Sequence, residues 1–260
     1  MSVKKALLST NNTKTIKGEG LGYKTYILYM SAYKYNSKGI NVCSHASKGC
    51  AESCLVGSGF GGMYTGVQQG RINRTEYFLK DRVGFLFQLK EEIEKAIRVN
   101  EGKAIPVFRL NGTSDLPYEK YKVFEGKNIF EIFPDVQFYD YTKNYLRFDK
   151  VLPSNYHLTF SRSETNGEKA MELLSRGVNV AIVFDKLPET YMGYKVINAD
   201  ETDLRFLDEK GGVICGLKYK KMTGKGANNA LAFESGFAIR TQGDKKKVEK
   251  KLEKVLVVSE

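Results

Sequence analysis

The chain alternates short apolar runs with segments whose apolar residues recur at helical spacing. The apolar runs are no longer than eight residues and are rich in β-branched and aromatic side chains, which is typical of strands buried on both faces. They cover 25–31, 105–110, 136–141, 156–161, 178–184, 194–199 and 212–219. The pattern therefore predicts a sheet whose strands are mostly interior.

Helices are predicted between several of these strands. The clearest lies at 80–99, and shorter ones are expected at 117–126, 165–177 and 202–211. In the 165–177 segment, Thr165 and Glu168 have the spacing of a capping box, and Gly177 has the position of a C-terminal stop. Strands alternating with helices at this spacing favour a parallel α/β sheet with right-handed crossovers, either open or curled into a barrel.

Polar segments follow the predicted strands. In parallel α/β folds, ligands and catalytic groups gather at the carboxyl ends of the strands. Four such ends carry polar residues: the cysteine loop at 43–54, then 109–115, 140–143 and 161–164. We expect these segments to meet at one edge of the sheet.

The cysteine loop, NVCSHASKGCAESC, is the strongest chemical signal. Cys43, Cys50 and Cys54 are separated by six and three residues, and thiolates select zinc or iron–sulfur clusters. Three interpretations differ in the role of His45. They are a closed structural Cys3His zinc site, a [4Fe–4S] cluster with one open iron, and a cluster with His45 as the fourth ligand. Three unliganded cysteines are the remaining alternative.

Composition and charge narrow the class of protein. The 260 residues are 42% hydrophobic, which is enough for a folded core. We expect one domain at 1–240 and a basic helical appendage at 241–260.

No apolar stretch is long enough for a membrane span, so we expect a cytoplasmic protein with reduced thiols and no membrane partner. The excess of 41 Lys+Arg over 30 Asp+Glu gives a net charge of +11 and favours an anionic partner, although lysine-rich runs are also common on solvated helices.

A three-cysteine loop after the first strand of a parallel α/β barrel resembles the radical S-adenosylmethionine (SAM) enzymes. Their commonest spacing is shorter, and the stretched first gap here is similar to that of several uncharacterised bacteriophage families related to the superfamily. The segments RLNGTSDLPYE and YDYTKN also look similar, and the resemblance covers roughly residues 20–220. It implies a partial (β/α) barrel of parallel strands.

The resemblance also implies cofactors and residue roles. Cys43, Cys50 and Cys54 would ligate a [4Fe–4S] cluster, whose open iron would take the amino and carboxylate groups of SAM. Reduction of the cluster would then cleave SAM and release a 5′-deoxyadenosyl radical. The implied SAM-binding residues are Asn111, Gly112, Thr113 and Asp115 after the second strand, and Ser161, Arg162, Ser163 and Glu164 after the fourth.

Each of these loops also has a simpler interpretation or a departure from the family. The 111–113 segment stands where the family binds the methionine amino group, but it lacks the usual paired glycines and glutamate. Ser114 or Asp115 could equally cap a helix. In the second loop, Ser161, Ser163 and Glu164 match the family's ribose contacts, with Arg162 able to meet the SAM carboxylate. Ser163 and Glu164 could equally only start the following helix.

Two functions therefore compete. The first is a radical SAM-like enzyme that uses an electron donor and modifies an anionic substrate such as nucleic acid or a nucleotide. The second is a zinc-stabilised nucleic-acid-binding protein without catalysis. We expect His45 not to be a ligand. We expect Arg71 and Arg74 to be exposed at a helix start, with a phosphate or cofactor carboxylate as the alternative partner.

Overall fold

The computed structural model describes residues 5–10, 13–54, 65–222 and 228–241. The strands in these residues form one sheet that is mostly parallel. They are β1 (Leu8–Ser9), β2 (Tyr23–Leu28), β3 (Ile105–Arg109), β4 (Phe138–Thr142), β5 (Tyr156–Ser161), β6 (Val180–Phe184), β7 (Thr190–Tyr191), β8 (Tyr194–Asn198), β9 (Ile214–Lys218) and β10 (Ala238–Ile239). All seven predicted strands are present within a few residues of their expected bounds.

The strand order is β1-β2-β3-β4-β5-β6-β9-β8-β7, and β10 pairs with β6. β1 and β7 are antiparallel to their neighbours, whereas the other pairs are parallel. The expected α/β class with a parallel sheet is confirmed. The described strands do not close into a ring.

Helices pack against the sheet, and the longest of those described covers one of its faces. They are α1 (Thr13–Glu19), α2 (Lys48–Glu52), α3 (Thr65–Lys80), α4 (Arg82–Asn100), α5 (Gly167–Ser175) and α6 (Leu231–Glu234). In α4, Phe85, Leu89 and Ile93 are fully buried, because residues four apart share one helix face. They join Leu28 and Phe108 of the sheet in the main core cluster. No helix in the described segments has both the length and the apolarity needed to cross a membrane.

The other face of the sheet is covered in part by the segment between β8 and β9. Leu204 packs on Val107 and Tyr139, and Phe206 stacks edge-on against Tyr23 at 5.4 Å between ring centroids. Sequence expectations for this segment were partly wrong: the predicted helix at 202–211 is a single 3-10 turn at Arg205–Leu207. Asp203 and Arg205, polar residues that a surface helix would expose, are buried here.

Two other helix predictions also need correction. The 117–126 segment has only a 3-10 turn at Tyr118–Lys120, because Phe124 and Lys127 pair their backbones as an isolated bridge. In 165–177, the helix begins at Gly167, with Asn166 rather than Thr165 in the cap position. The side-chain oxygen of Asn166 accepts a hydrogen bond from the backbone N–H of Ser163 at 2.6 Å, so it makes no cap contact with the helix. Gly177 has φ of +83° and confirms the predicted stop.

Candidate metal and ligand site at the carboxyl ends of the strands

The cysteine loop follows β2, as the sequence predicts, and lies at the carboxyl edge of the parallel strands. Cys43, Cys50 and Cys54 are each half-buried and none is in a disulfide. Cys50 lies in the short helix α2, where its backbone N–H donates to the side chain of the N-cap residue Ser47 at 3.2 Å. This edge of the sheet is where parallel α/β folds place ligands.

Cys43 is the best-defined of the three thiols. Its Sγ accepts from the backbone N–H of Tyr33 at 3.4 Å and donates to the carbonyl oxygen of Thr113 at 3.7 Å. Burial raises the pKa of Cys43 to about 12, and the nearby Cys54, Asp115 and Cys50 add to the rise. A metal that binds here must therefore displace a firmly held proton.

The three thiols share a loop but do not converge on one point. In the part of the chain that the structure describes, no group of three His, Cys, Asp or Glu side chains is close enough to hold a metal ion. His45 is exposed, and its Nδ1 makes a hydrogen bond with Ser44 at 2.9 Å. Metal binding would require the cysteine loop to bring its thiols closer together.

Glu164, at the end of β5, holds the cysteine loop in place. Its carboxylate accepts from the hydroxyl of Ser47 at 2.7 Å and from the backbone N–H of Gly49 at 2.6 Å. A Cβ added at Gly49 would lie only 2.7 Å from this carboxylate, so glycine is needed for the close approach. The sequence resemblance implies a ribose contact for Glu164, whereas both of its oxygens here serve the cysteine loop.

The segment after β3 is tied to the same region through Asn111. This side chain is 2% exposed, and its Oδ1 accepts from the Ser114 hydroxyl at 2.9 Å and the Leu116 N–H at 2.8 Å. Its Nδ2 donates to the Leu116 carbonyl at 3.0 Å, and its backbone N–H donates to Asp140 Oδ1 at 2.7 Å. Asn111 is therefore enclosed by the protein and shapes the loop.

Gly112, Thr113 and Asp115 join this segment to the end of β2 and to the cysteine loop. The Gly112 N–H donates to the Leu28 carbonyl at 3.0 Å, and the Thr113 hydroxyl donates to the Met30 carbonyl. The Asp115 N–H donates to the carbonyl of Val42, next to Cys43, at 2.9 Å. The loops after β2 and β3 therefore form one hydrogen-bonded unit.

The carboxylate of Asp115 does not cap a helix. It bonds to the loop after β4. Its Oδ2 accepts from the Lys143 backbone N–H at 2.9 Å, and its Oδ1 lies 3.3 Å from Nη1 of the buried Arg147. Together with the bonds of Glu164 to the cysteine loop, these contacts link all four polar segments predicted from the sequence. The expectation that they meet at one edge is confirmed for these loops.

The residues after β5 also make internal contacts. Ser161 Oγ accepts from Lys143 Nζ at 2.6 Å, and Ser163 is fully buried with its hydroxyl 3.4 Å from that of Thr165. Arg162 donates to the carbonyl oxygens of Gly236 and Phe237. These contacts connect β5 to the segment that precedes β10.

Arg71 differs from its sequence expectation. It lies within α3, not at a helix start, and is only 8% exposed. Its guanidinium lies over the ring of Tyr29, 5.4 Å from the centroid, and its Nε and Nη1 find no hydrogen-bond partner among the described residues. Arg71, Thr75 and Phe78 share the buried face of α3 at helical spacing, but two of the three are polar, so apolar periodicity does not reveal this burial.

The fold and this edge of the sheet define a class: α/β proteins in which a mostly parallel sheet presents a cysteine-bearing loop at the carboxyl ends of its strands. Within that class, the chain belongs to the Gene product 88 family, whose model matches residues 5–241. Comparisons with curated proteins and with solved structures each find no significant match. The family match includes all three loop cysteines and every residue of the site described above.

Proposed function

We propose that this protein is a radical SAM-like enzyme that binds a [4Fe–4S] cluster through Cys43, Cys50 and Cys54 and acts on an anionic substrate. The observation that carries the proposal is the attachment of the cysteine loop to the ends of β3 and β5. The Asp115–Val42 backbone bond and the Glu164 carboxylate make this attachment. A loop that only held a structural zinc would not need to lie at the carboxyl ends of the strands.

The donor set fits an iron–sulfur cluster. Three thiols would leave one metal position open, and in the described residues His45 is exposed and hydrogen-bonded to Ser44. The separation of the thiols argues against a fully preformed site. When bound and reduced, such a cluster supplies the electron that cleaves SAM to a carbon radical.

The remaining residues of this edge have supporting roles in the proposal. Asn111 and Glu164 are positioning residues, since their polar atoms hold the loops that would carry the cofactors. Thr113 brings its carbonyl oxygen to Cys43 Sγ, Gly112 holds the same segment on the Leu28 carbonyl, and the half-buried Ser161 and Arg162 border the same edge. SAM would lie among these residues, and a partner protein would donate the electron. The net charge of +11 favours an anionic substrate, such as nucleic acid or a nucleotide.

Anaerobic purification tests the metal. We expect a brown protein with broad absorbance near ~400 nm, and iron and inorganic sulfide in comparable amounts. Cys43→Ala, Cys50→Ala and Cys54→Ala should each lose iron. His45→Ala is the matched control, because His45 lies in the same loop but is exposed. A colourless protein that holds one zinc would overturn the cluster and support the nucleic-acid-binding alternative.

SAM cleavage tests the reaction separately. The reconstituted, dithionite-reduced protein should form 5′-deoxyadenosine from SAM, and the Cys43→Ala variant should not. Cys215→Ala is the second control, since Cys215 is fully buried in β9 within a different core cluster. A protein that holds the cluster but leaves SAM intact would contradict the enzymatic proposal while preserving the metal site.

A further inference from the structure

Arg71 is a buried cation with no carboxylate beside it. Its side chain is more than nine-tenths enclosed, and no ion pair joins it to an acidic residue in the described segments. Burial lowers its pKa, yet a guanidinium remains protonated in proteins. Two of its N–H groups, at Nε and Nη1, are therefore buried donors without an acceptor there.

The surroundings of Arg71 are positive or neutral. Arg74, one turn further along α3, donates from Nε to the carbonyl of Tyr29 at 2.8 Å and adds a second positive charge. Burial acts against the charged form of Arg71, and Tyr29 and Cys54 favour it. The stretch LVGSGFGGMY at 55–64 contains no Asp or Glu, so its side chains offer no carboxylate either.

The carboxylate that acts on Arg74 is committed elsewhere. Glu92 favours the charged form of Arg74, but its oxygens accept from the backbone N–H groups of Leu7 and Leu8 at 2.9 to 3.0 Å and from Gln88 at 2.9 Å. The ring of Tyr29 stabilises Arg71 through a cation–π contact, but a ring face does not replace hydrogen bonds to directed N–H donors. An uncompensated buried charge is costly and is retained where it binds something.

We propose that Arg71 binds a phosphate group of the substrate, beside Cys54 at the end of the cysteine loop. A planar guanidinium with free N–H groups matches a phosphate oxyanion, and the strongly basic chain attracts phosphate-bearing molecules. This inference rests on the proposed function in one respect, because it takes the phosphate to belong to the substrate of that site, a nucleotide or nucleic acid. Phosphate binding by Arg71 itself requires no cluster.

Titration calorimetry and thermal unfolding with inorganic phosphate test the inference on the full chain. Chloride at equal ionic strength removes the general salt effect, and acetate reports a carboxylate preference. We expect phosphate to raise the unfolding temperature of the wild-type protein above the chloride value. Arg71→Gln should weaken phosphate binding by about tenfold or more, and Arg71→Lys should weaken it less. Arg98→Gln, on the exposed face of α4, should bind as the wild type does.

A second readout separates binding from a structural role. If Arg71 is an unpaired charge in the free protein, Arg71→Met should raise the unfolding temperature in chloride and abolish the extra effect of phosphate. Unchanged phosphate binding in Arg71→Gln, an acetate effect equal to that of phosphate, or a lower unfolding temperature for Arg71→Met in chloride would each overturn the assignment. A positive result on colourless, iron-free protein would retain the phosphate site even if the cluster proposal fails.

Discussion

Replacement of Glu164 by Gln tests whether this carboxylate holds the cysteine loop. The substitution keeps the shape of the side chain but removes its charge and one of its two acceptor oxygens. The lost interaction is a bond to Ser47 Oγ at 2.7 Å or to Gly49 N at 2.6 Å. Ser47 also caps α2 through Cys50 N, so the change should loosen the turn that carries Cys50.

The size of the effect follows from the charge and the burial. A hydrogen bond to a charged group contributes about 1.5–3 kcal/mol, and the half-buried position of Glu164 places its bonds at the lower end of that range. Local opening of the loop should therefore become easier by about 1.5–2 kcal/mol, which is roughly a 10- to 30-fold change in the opening equilibrium.

Hydrogen exchange at the amides of Gly49 and Cys50 measures this opening directly. We expect exchange there to accelerate by roughly 10- to 30-fold in Glu164→Gln, with no SAM or metal added. Glu168→Gln is the control, since Glu168 is an exposed residue in the first turn of the neighbouring α5. Exchange in Glu164→Gln that stays within about twofold of the wild-type rate would refute the anchoring role and return Glu164 to a purely ligand-binding one.

Two further predictions concern the loop after β3 and the core beneath it. Gly112→Ala should destabilise the protein by about 1–3 kcal/mol in urea unfolding, because a Cβ there would lie 2.5 Å from Ile27 Cγ2 and 2.9 Å from the Leu28 carbonyl oxygen. In Gly66→Ala, in helix α3, the added Cβ would meet nothing within 4 Å among the described residues, so this substitution should be neutral or stabilising. Equal effects of the two substitutions would contradict the steric reasoning. Burial raises the pKa of Asp140 to about 7, so the folded state retains a proton that the unfolded chain loses near pH ~4. The unfolding free energy should therefore fall as pH rises from about 4 to about 7, and Asp140→Asn should lack this component; identical pH profiles for the two proteins would show that Asp140 is not its source.

The sequence predicts the sheet well because its strands are buried on both faces. The composition of a run such as VNVAIVF is enough to predict a strand buried on both faces. This run forms β6, which lies within the expected range. Helix predictions were less accurate where local pattern competed with tertiary contacts. Asn166 displaces Thr165 from the cap position because its side chain bonds to the end of β5, a contact that no local periodicity contains.

The candidate site was predictable in position but not in detail. Polar residues after strands do meet at one edge, since parallel strands all end there. Several roles depend on contacts between distant residues, as between Glu164 and Ser47, which are 117 positions apart, and local spacing cannot supply these. Arg71 was misread because a charged residue is normally exposed, and only the buried positions around it identify its face of α3.

The polar residues at this edge divide by whether their hydrogen bonds are already made within the protein. Asn111 and Glu164 use their polar atoms to hold loops, so substitutions there should change stability or local opening before any ligand is added. Arg71 keeps two buried N–H groups without an acceptor among the described residues, so its substitution should change the response to an anion more than it changes the fold. A ligand gains most from donors that the protein has desolvated but not satisfied, because binding then removes a cost already present in the free state. On this physical ground, we expect Arg71, rather than the polar residues that the family resemblance singles out, to determine the response to an added anion.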